Sequence, residues 1–200
     1  INCKGAFTTE PDHSLEDELA NKQEINRAVE LQKKYPEIVK IITVGNEAMV
    51  HWATSYYVEP GVILKWVNYL QNLKEEGELS KDLWITSSDN FASWGGGSAD
   101  YHKQDLEKLV QAVDFISMHT YPMHDTHYQP AFWGVEADEQ SLDRKEQIRL
   151  AMDRALNYAQ MQFQSTSDYI HSIDKTKPIH IGETGWASFS AGKYGIDGSK

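Results

Sequence analysis

Basic residues are scarce in this chain. Nineteen Lys and Arg stand against thirty Asp and Glu over 200 residues, for a formal net charge of −11. Such a surface repels phosphate, which argues against a nucleic-acid partner and against an anionic membrane surface. Cysteine is nearly absent. Cys3 stands alone, so no internal disulfide forms and the redox compartment is left open. Long apolar runs are missing as well, since no stretch reaches the roughly 18 residues of a membrane-spanning helix. The first residues do not read as a signal peptide, and Ile1 is not an initiator Met. Neutral substrates are what remains.

What the chain has is aromatics, with six Trp and ten Tyr, and an alternation of short apolar runs with longer helical stretches. INCKGAF (1–7) reads as a strand, and 14–35 as a helix with Ser14 as its N-cap. IVKIITVG (38–45) is the next strand. Pro60-Gly61 opens a helix whose Ile63, Trp66, Val67, Leu70 and Leu73 share one face. LWITS (83–87), DFISMH (114–119) and PIHIG (178–182) are further strands. They are separated by helices over 103–113 and 141–172, the latter with Ile148, Met152, Ala155, Ala159 and Phe163 at three- and four-residue steps. Near-continuous apolar strands between helices predict a parallel sheet covered on both faces, in a single domain over 1–200.

The strand ends are unlike the rest. GNE (45–47), SSDN (87–90), HTYP (119–122) and GETGW (182–186) each close a strand with polar or aromatic residues. The junctions leading into strands, such as KTKP (175–178), are plain by comparison. In parallel α/β folds the carboxyl ends of the strands carry the chemistry. Glu47 and Glu183 terminate two different strands, and two facing carboxylates serve as acid and base on one reaction when their environments hold one protonated and one ionised. Glycoside hydrolysis needs such a pair, about 5–5.5 Å apart for retention and about 6.5–9.5 Å for inversion. The bland alternative is two strand-end carboxylates that cap turns. The clustering of polar ends and nearby aromatics favours the functional reading.

Other residues are weighed against packing. Trp52, Tyr56, Tyr57, Trp94 and Trp133 fall in loops after strands, where rings stack on the apolar faces of sugars or simply pack. Trp66 and Trp84 read as core. His119, His124, Asp125 and His127 sit in HTYPMHDTH, a spacing that matches no standard zinc set, so no metal is expected. His119 is taken to touch substrate or orient a neighbour, and His124 and His127 to be loop residues. Asp89 and Asn90 read either as sugar-hydroxyl ligands or as an Asx turn. Gly95-Gly96-Gly97 lacks the Lys and Ser/Thr of a phosphate loop and reads as a turn at the edge of a cleft.

VGNEAMVHW (44–52), SMHTYPM (117–123) and IHIGETGW (179–186), in that order, resemble the catalytic strand ends of glycoside hydrolase family 17. That family comprises β-1,3-glucanases and related transglycosylases, in the clan of retaining (β/α)8-barrel glycosidases. The resemblance runs through most of the chain. It implies a general acid/base at Glu47, closing the fourth barrel strand, and a nucleophile at Glu183, closing the seventh. It also implies Asn46 on the sugar 2-hydroxyl, Tyr121 donating to Glu183, and Trp186 lining the donor-side sugar sites. His119, Asn90, Trp52 and Trp133 complete the expected substrate-binding set. No cofactor is required.

The expected fold is therefore a (β/α)8 TIM barrel, of which this chain supplies about five βα units where eight are needed. Two units before Ile1 and the last unit are missing from it, to be supplied by further residues or another chain. The expected activity is retaining endo-β-1,3-glucan hydrolysis on a laminarin-like substrate, in a secreted or periplasmic setting where polymeric glucan lies. A β-1,3-glucan transglycosylase shares the first step and is the near alternative. A non-catalytic glucan-binding protein, with no need of both glutamates, and a metal-dependent hydrolase built on the histidines are the more distant ones.

Overall fold

A computed structural model of the protein describes residues 1–186. The elements follow the order β1 (Cys3–Lys4), β2 (Asp12–Glu16), α1 (Glu18–Lys34), β3 (Ile41–Asn46), α2 (Pro60–Glu75), β4 (Trp84–Asn90), α3 (Gln104–Ala112), β5 (Ile116–His119), α4 (Pro122–Asp125), α5 (Arg144–Ile173) and β6 (Ile179–Glu183). Strands β3, β4, β5 and β6 lie side by side in that order, all parallel. The architecture is mixed α/β with a parallel sheet.

The core forms where the sequence period predicts it. Val62, Ile63, Trp66, Val67 and Leu70 of α2 are buried, as are Leu106, Leu109 and Val110 of α3. These meet Ile42, Val44, Ile85, Ile116 and Met118 of the strands in one apolar cluster. Pro60 starts α2 at a position whose N–H has no helical partner in any case.

Four expectations are corrected. The first strand shrinks to Cys3–Lys4, and 12–16 pairs with it as an antiparallel hairpin. Ser14 is thus not a helix cap: its N–H and hydroxyl are both taken by Asp12 Oδ1, at 3.1 and 2.7 Å. Asp17 caps α1 instead, accepting from the Ala20 N–H. Trp84 is 44% exposed rather than core, on the sheet face away from α2 and α3. Of the two readings left open, packing holds for Trp94. It is fully buried, with its indole N–H donating to the Ser117 carbonyl at 2.9 Å, and offers no ring face to a ligand. Finally, α5 does not bury the whole apolar stripe expected of it. Ile148 and Met152 are about half exposed, while Ala155, Thr166 and Ile170 face inward.

Candidate active site

The polar strand ends converge at one edge of the sheet. Asn90 stands opposite His119, and His119 opposite Glu183, across β4, β5 and β6. Glu47 arrives from the residue after β3. Two irregularities in register, between Thr43 and Asn46 and between Met118 and His119, fall beside these positions. Such bulges re-aim side chains. Three spacings of a flat sheet would hold β3 and β6 about 14 Å apart. Yet carboxylate oxygens of Glu47 and Glu183 and a ring nitrogen of His119 lie within 4.8 Å of one another. The two side chains therefore lean toward each other over a curved sheet.

Glu47 is held in an uncommon backbone. Its φ is +46°, a left-handed conformation that costs a residue with a Cβ about 1–3 kcal/mol unless its surroundings impose it. The surroundings do. The Glu47 N–H donates to the Ser88 carbonyl at 2.9 Å, and the Val58 N–H to the Ala48 carbonyl at 2.7 Å. The Met49 N–H donates to Asp89 Oδ2 at 2.9 Å, and the Ser93 hydroxyl to the Met49 carbonyl at 3.1 Å. Asp89 is fully buried in this role, and burial raises its carboxyl to about 7 against the opposing pull of its hydrogen bonds. It does not reach the cleft as a sugar ligand.

His119 has no exposed surface and stands between the two glutamates. Its Nδ1 is 3.1 Å from Glu47 Oε1 and 3.5 Å from Glu183 Oε2. Its Nε2 is 2.6 Å from the Ser88 hydroxyl, which in turn is 2.8 Å from the Ser117 hydroxyl. The hydrogen bond from His119 lowers the Glu47 pKa, and partial burial opposes that shift. Tyr121 donates its phenol to Glu183 Oε2 at 2.9 Å. Burial first, then that bond and the Glu183 charge, push the phenol to about 12, so it stays a donor. Both glutamates keep contact with solvent, their side chains 37% and 38% exposed.

In front of the pair opens a cleft of about 770 Å³ lined by Glu47, Trp52, Asn90, Phe91, Ala92, Tyr121, His124, Asp125, His127 and Glu183. Trp52 is 60% exposed along it. The Asn90 amide oxygen accepts from the Ala92 N–H at 2.9 Å, an Asx turn, while its residue still borders the cleft. Asn46 is exposed next to Glu47 but does not line this cleft. Trp133 is buried, its indole N–H donating to Thr126 Oγ1 at 3.1 Å, and it meets Trp186 edge-on at 5.6 Å. His119 belongs to the floor rather than to the lining. Tyr57 stacks on His13 at 3.7 Å, with that face of its ring taken.

Sequence reasoning missed three residues. His124 and His127, set aside as loop, and Asp125, weighed only as part of a metal set, wall the cleft. Pro122 begins the short α4, and His127 and Tyr128 turn the chain back at φ +53° and +60°. Asp125 accepts from the Tyr121 N–H at 2.8 Å and from the Gln162 amide at 2.9 Å, which ties that turn to α5. As for metals, Glu47, His119 and Glu183 are the group of described residues at ligand spacing. Of the HTYPMHDTH histidines, His119 alone belongs to it among the described residues.

What fold and site define together is a parallel α/β protein with a solvent-open pair of carboxylates at the carboxyl ends of its strands. A solved structure, an endo-laminarinase from Formosa Hel1_33_131, superimposes on the chain with a TM-score of 0.91 and 62% sequence identity. The match covers 98% of this chain and 50% of that one, so this chain spans about half the length of that relative. No family model matches, and neither does any curated protein.

Proposed function

We propose that the protein is a glycoside hydrolase, a retaining endo-β-1,3-glucanase in which Glu183 is the nucleophile and Glu47 the general acid/base. The observation that carries the reaction type is the spacing of the pair. One oxygen of each lies within 4.8 Å of the other, closer to the roughly 5–5.5 Å carboxyl spacing of a retaining enzyme than to the roughly 6.5–9.5 Å of an inverting one. The substrate class is supported by the likeness to an endo-laminarinase, and the cleft walled by Trp52 suits a neutral sugar chain.

On this reading Glu183 attacks the anomeric carbon while Glu47 gives its proton to the departing glycosidic oxygen. A water then loses a proton to Glu47 as its oxygen attacks the same carbon, and Glu183 leaves. Tyr121 keeps Glu183 oriented. Asn90 and Trp52 line sugar sites in the cleft. The catalytic unit is a (β/α)8 barrel completed by strands beyond the four seen here. The curvature that brings β3 and β6 side chains together supports this, as does a relative of twice the length.

Alanine variants of the two glutamates test the assignment on β-1,3-glucan oligosaccharides with azide present. Each is expected to lose about 10²-fold or more in turnover. Azide should restore Glu47→Ala with formation of the β-glycosyl azide, and Glu183→Ala with the α-azide. Full activity in either variant, or the opposite anomers, would overturn the roles.

A further inference from the structure

The resting geometry raises a difficulty that His119 resolves. Glu47 must carry a proton when the glycosidic oxygen leaves, yet the imidazole beside it favours its ionised form. A donor fixed on Glu47 throughout would oppose the first step. His119, however, reaches both glutamates from the same nitrogen, at 3.1 and 3.5 Å. We propose that His119 is a shared hydrogen-bond donor that serves whichever of Glu47 and Glu183 is ionised, changing partner as the reaction passes from its first step to its second. This rests on the roles just assigned to the two glutamates.

We assign the ring proton to Nδ1, where both carboxylates are, which makes Ser88 the donor to Nε2 and Ser117 the donor to Ser88, over contacts of 2.6 and 2.8 Å. A neutral imidazole then has one N–H for two acceptors. Before the sugar is attacked, Glu183 is the anion and Glu47 the acid, so Nδ1–H belongs to Glu183 beside the Tyr121 phenol. Once Glu183 is esterified to the sugar its oxygens are weak acceptors. Glu47, having given up its proton, is the anion, and Nδ1–H moves to it. The 3.1 Å contact between Nδ1 and Glu47 Oε1 is the one that this second arrangement uses. No proton leaves His119 at any point. The exchange only changes which of two oxygens, both within 3.5 Å of Nδ1, accepts its N–H.

Other charges face this ring. Glu47 comes from the segment after β3, the buried Asp89 from β4, and Glu183 from β6, while His124 of α4 acts on Glu47 across the cleft. Asp89 sits within electrostatic range of His119 but bonds Met49 and Asn90 rather than the ring. The alternation is therefore confined to the two cleft carboxylates. His119 is in this sense a positioning residue, acting through both.

Two substitutions separate this role from a structural one. The amide of His119→Asn falls near Nδ1 and keeps a donor toward the glutamates, whereas that of His119→Gln falls near Nε2 and keeps only the Ser88 side. With 2,4-dinitrophenyl β-laminaribioside, whose leaving group needs no acid, His119→Gln is expected to form the glycosyl-enzyme in a burst. It should then hydrolyse it roughly 10-fold or more slowly, while His119→Asn stays within about threefold of wild type. Carbon-13 carboxyl titration of the resting protein gives a reading without turnover. The Glu47 pKa should rise in His119→Gln and stay low in His119→Asn, moving the basic limb of the activity profile upward in the first variant alone. If His119→Gln does not fold, Ser88→Ala, which removes the hydroxyl that donates to Nε2, should raise the Glu47 pKa in the same sense. Equal behaviour of the Asn and Gln variants, or a Glu47 pKa unmoved by loss of the Nδ1 donor, would refute the proposal. A wild type inert toward β-1,3-glucan would instead refute the assigned substrate, and the carboxyl titration would still decide the part played by His119.

Discussion

Asp89 shows how a single buried group supports the site without touching it. Its Oδ2 holds the Met49 N–H two residues beyond Glu47, so the strained backbone of Glu47 is imposed from beneath. The same burial raises its pKa to about 7. A raised acid favours its neutral form in the fold. Its contribution to stability is therefore full below the unfolded value of about 3.9 and is lost as pH climbs through about 7. Between those limits the slope approaches about 1.4 kcal/mol per pH unit. Asp89→Asn should flatten that part of the wild-type profile, as read from urea midpoints between pH 4.5 and 7.5. An unchanged profile would place the ionised form in the native state. At this scale the sequence disclosed the residues that end strands, since Glu47, Glu183 and Tyr121 all stand where a polar residue breaks an apolar run. It hid those whose role depends on what lies under them. Asp89 and Ser88 lie inside the same SSDN motif, and only the fold shows that one braces a loop and the other meets His119 Nε2.

At the level of elements, the paired hydroxyls of Ser88 in β4 and Ser117 in β5 need space beside them where β6 passes. Gly182 makes the room. A Cβ there would sit 2.1 Å from the Ser117 hydroxyl and 3.0 Å from that of Ser88. Gly182→Ala should therefore cost about 1–3 kcal/mol through overpacking and lower turnover by displacing the hydroxyls that orient His119. Thermal melts and single-turnover assays together would show it. A variant with wild-type melting and wild-type turnover would mean that the hydroxyl pair has slack the structure does not show. The helices and strands themselves were legible wherever burial imposed a clean period, as in α2, α3 and the parallel strands. They were misread where a local bond outweighed the pattern. Asp12 captured Ser14 and turned an expected helical start into a hairpin. In α5 small and polar residues took the inward face, against the apolar period.

Across the whole molecule, the described sheet has two open edges, β3 and β6, and an open face. Ile41, Trp84 and Ile181 are 50%, 44% and 53% exposed along it. Unpaired parallel edges and bare apolar patches invite association. The 200-residue chain on its own is expected to sediment above its 22.8 kDa and to bind a hydrophobic dye. Replacing Ile41 and Ile181 together by Lys should lessen both. A sharp monomer that binds no dye would show that the face is covered by other means, and would weaken the case for a larger barrel. The expectation of a larger barrel came from the number of strands in the sequence. It did not show how the four parallel strands curve, because curvature arises from register irregularities that leave no mark in composition.

The central claim is that Glu183 is the nucleophile of a retaining reaction. It is tested most directly by trapping the glycosyl-enzyme with 2,4-dinitrophenyl 2-deoxy-2-fluoro-β-laminaribioside, whose fluorine slows release of the sugar. Peptide mass mapping should find the added disaccharide on Glu183, with Glu47 unlabelled. A label on Glu47, or rapid turnover of the parent glycoside to the α-anomer with no adduct at any time, would contradict the account.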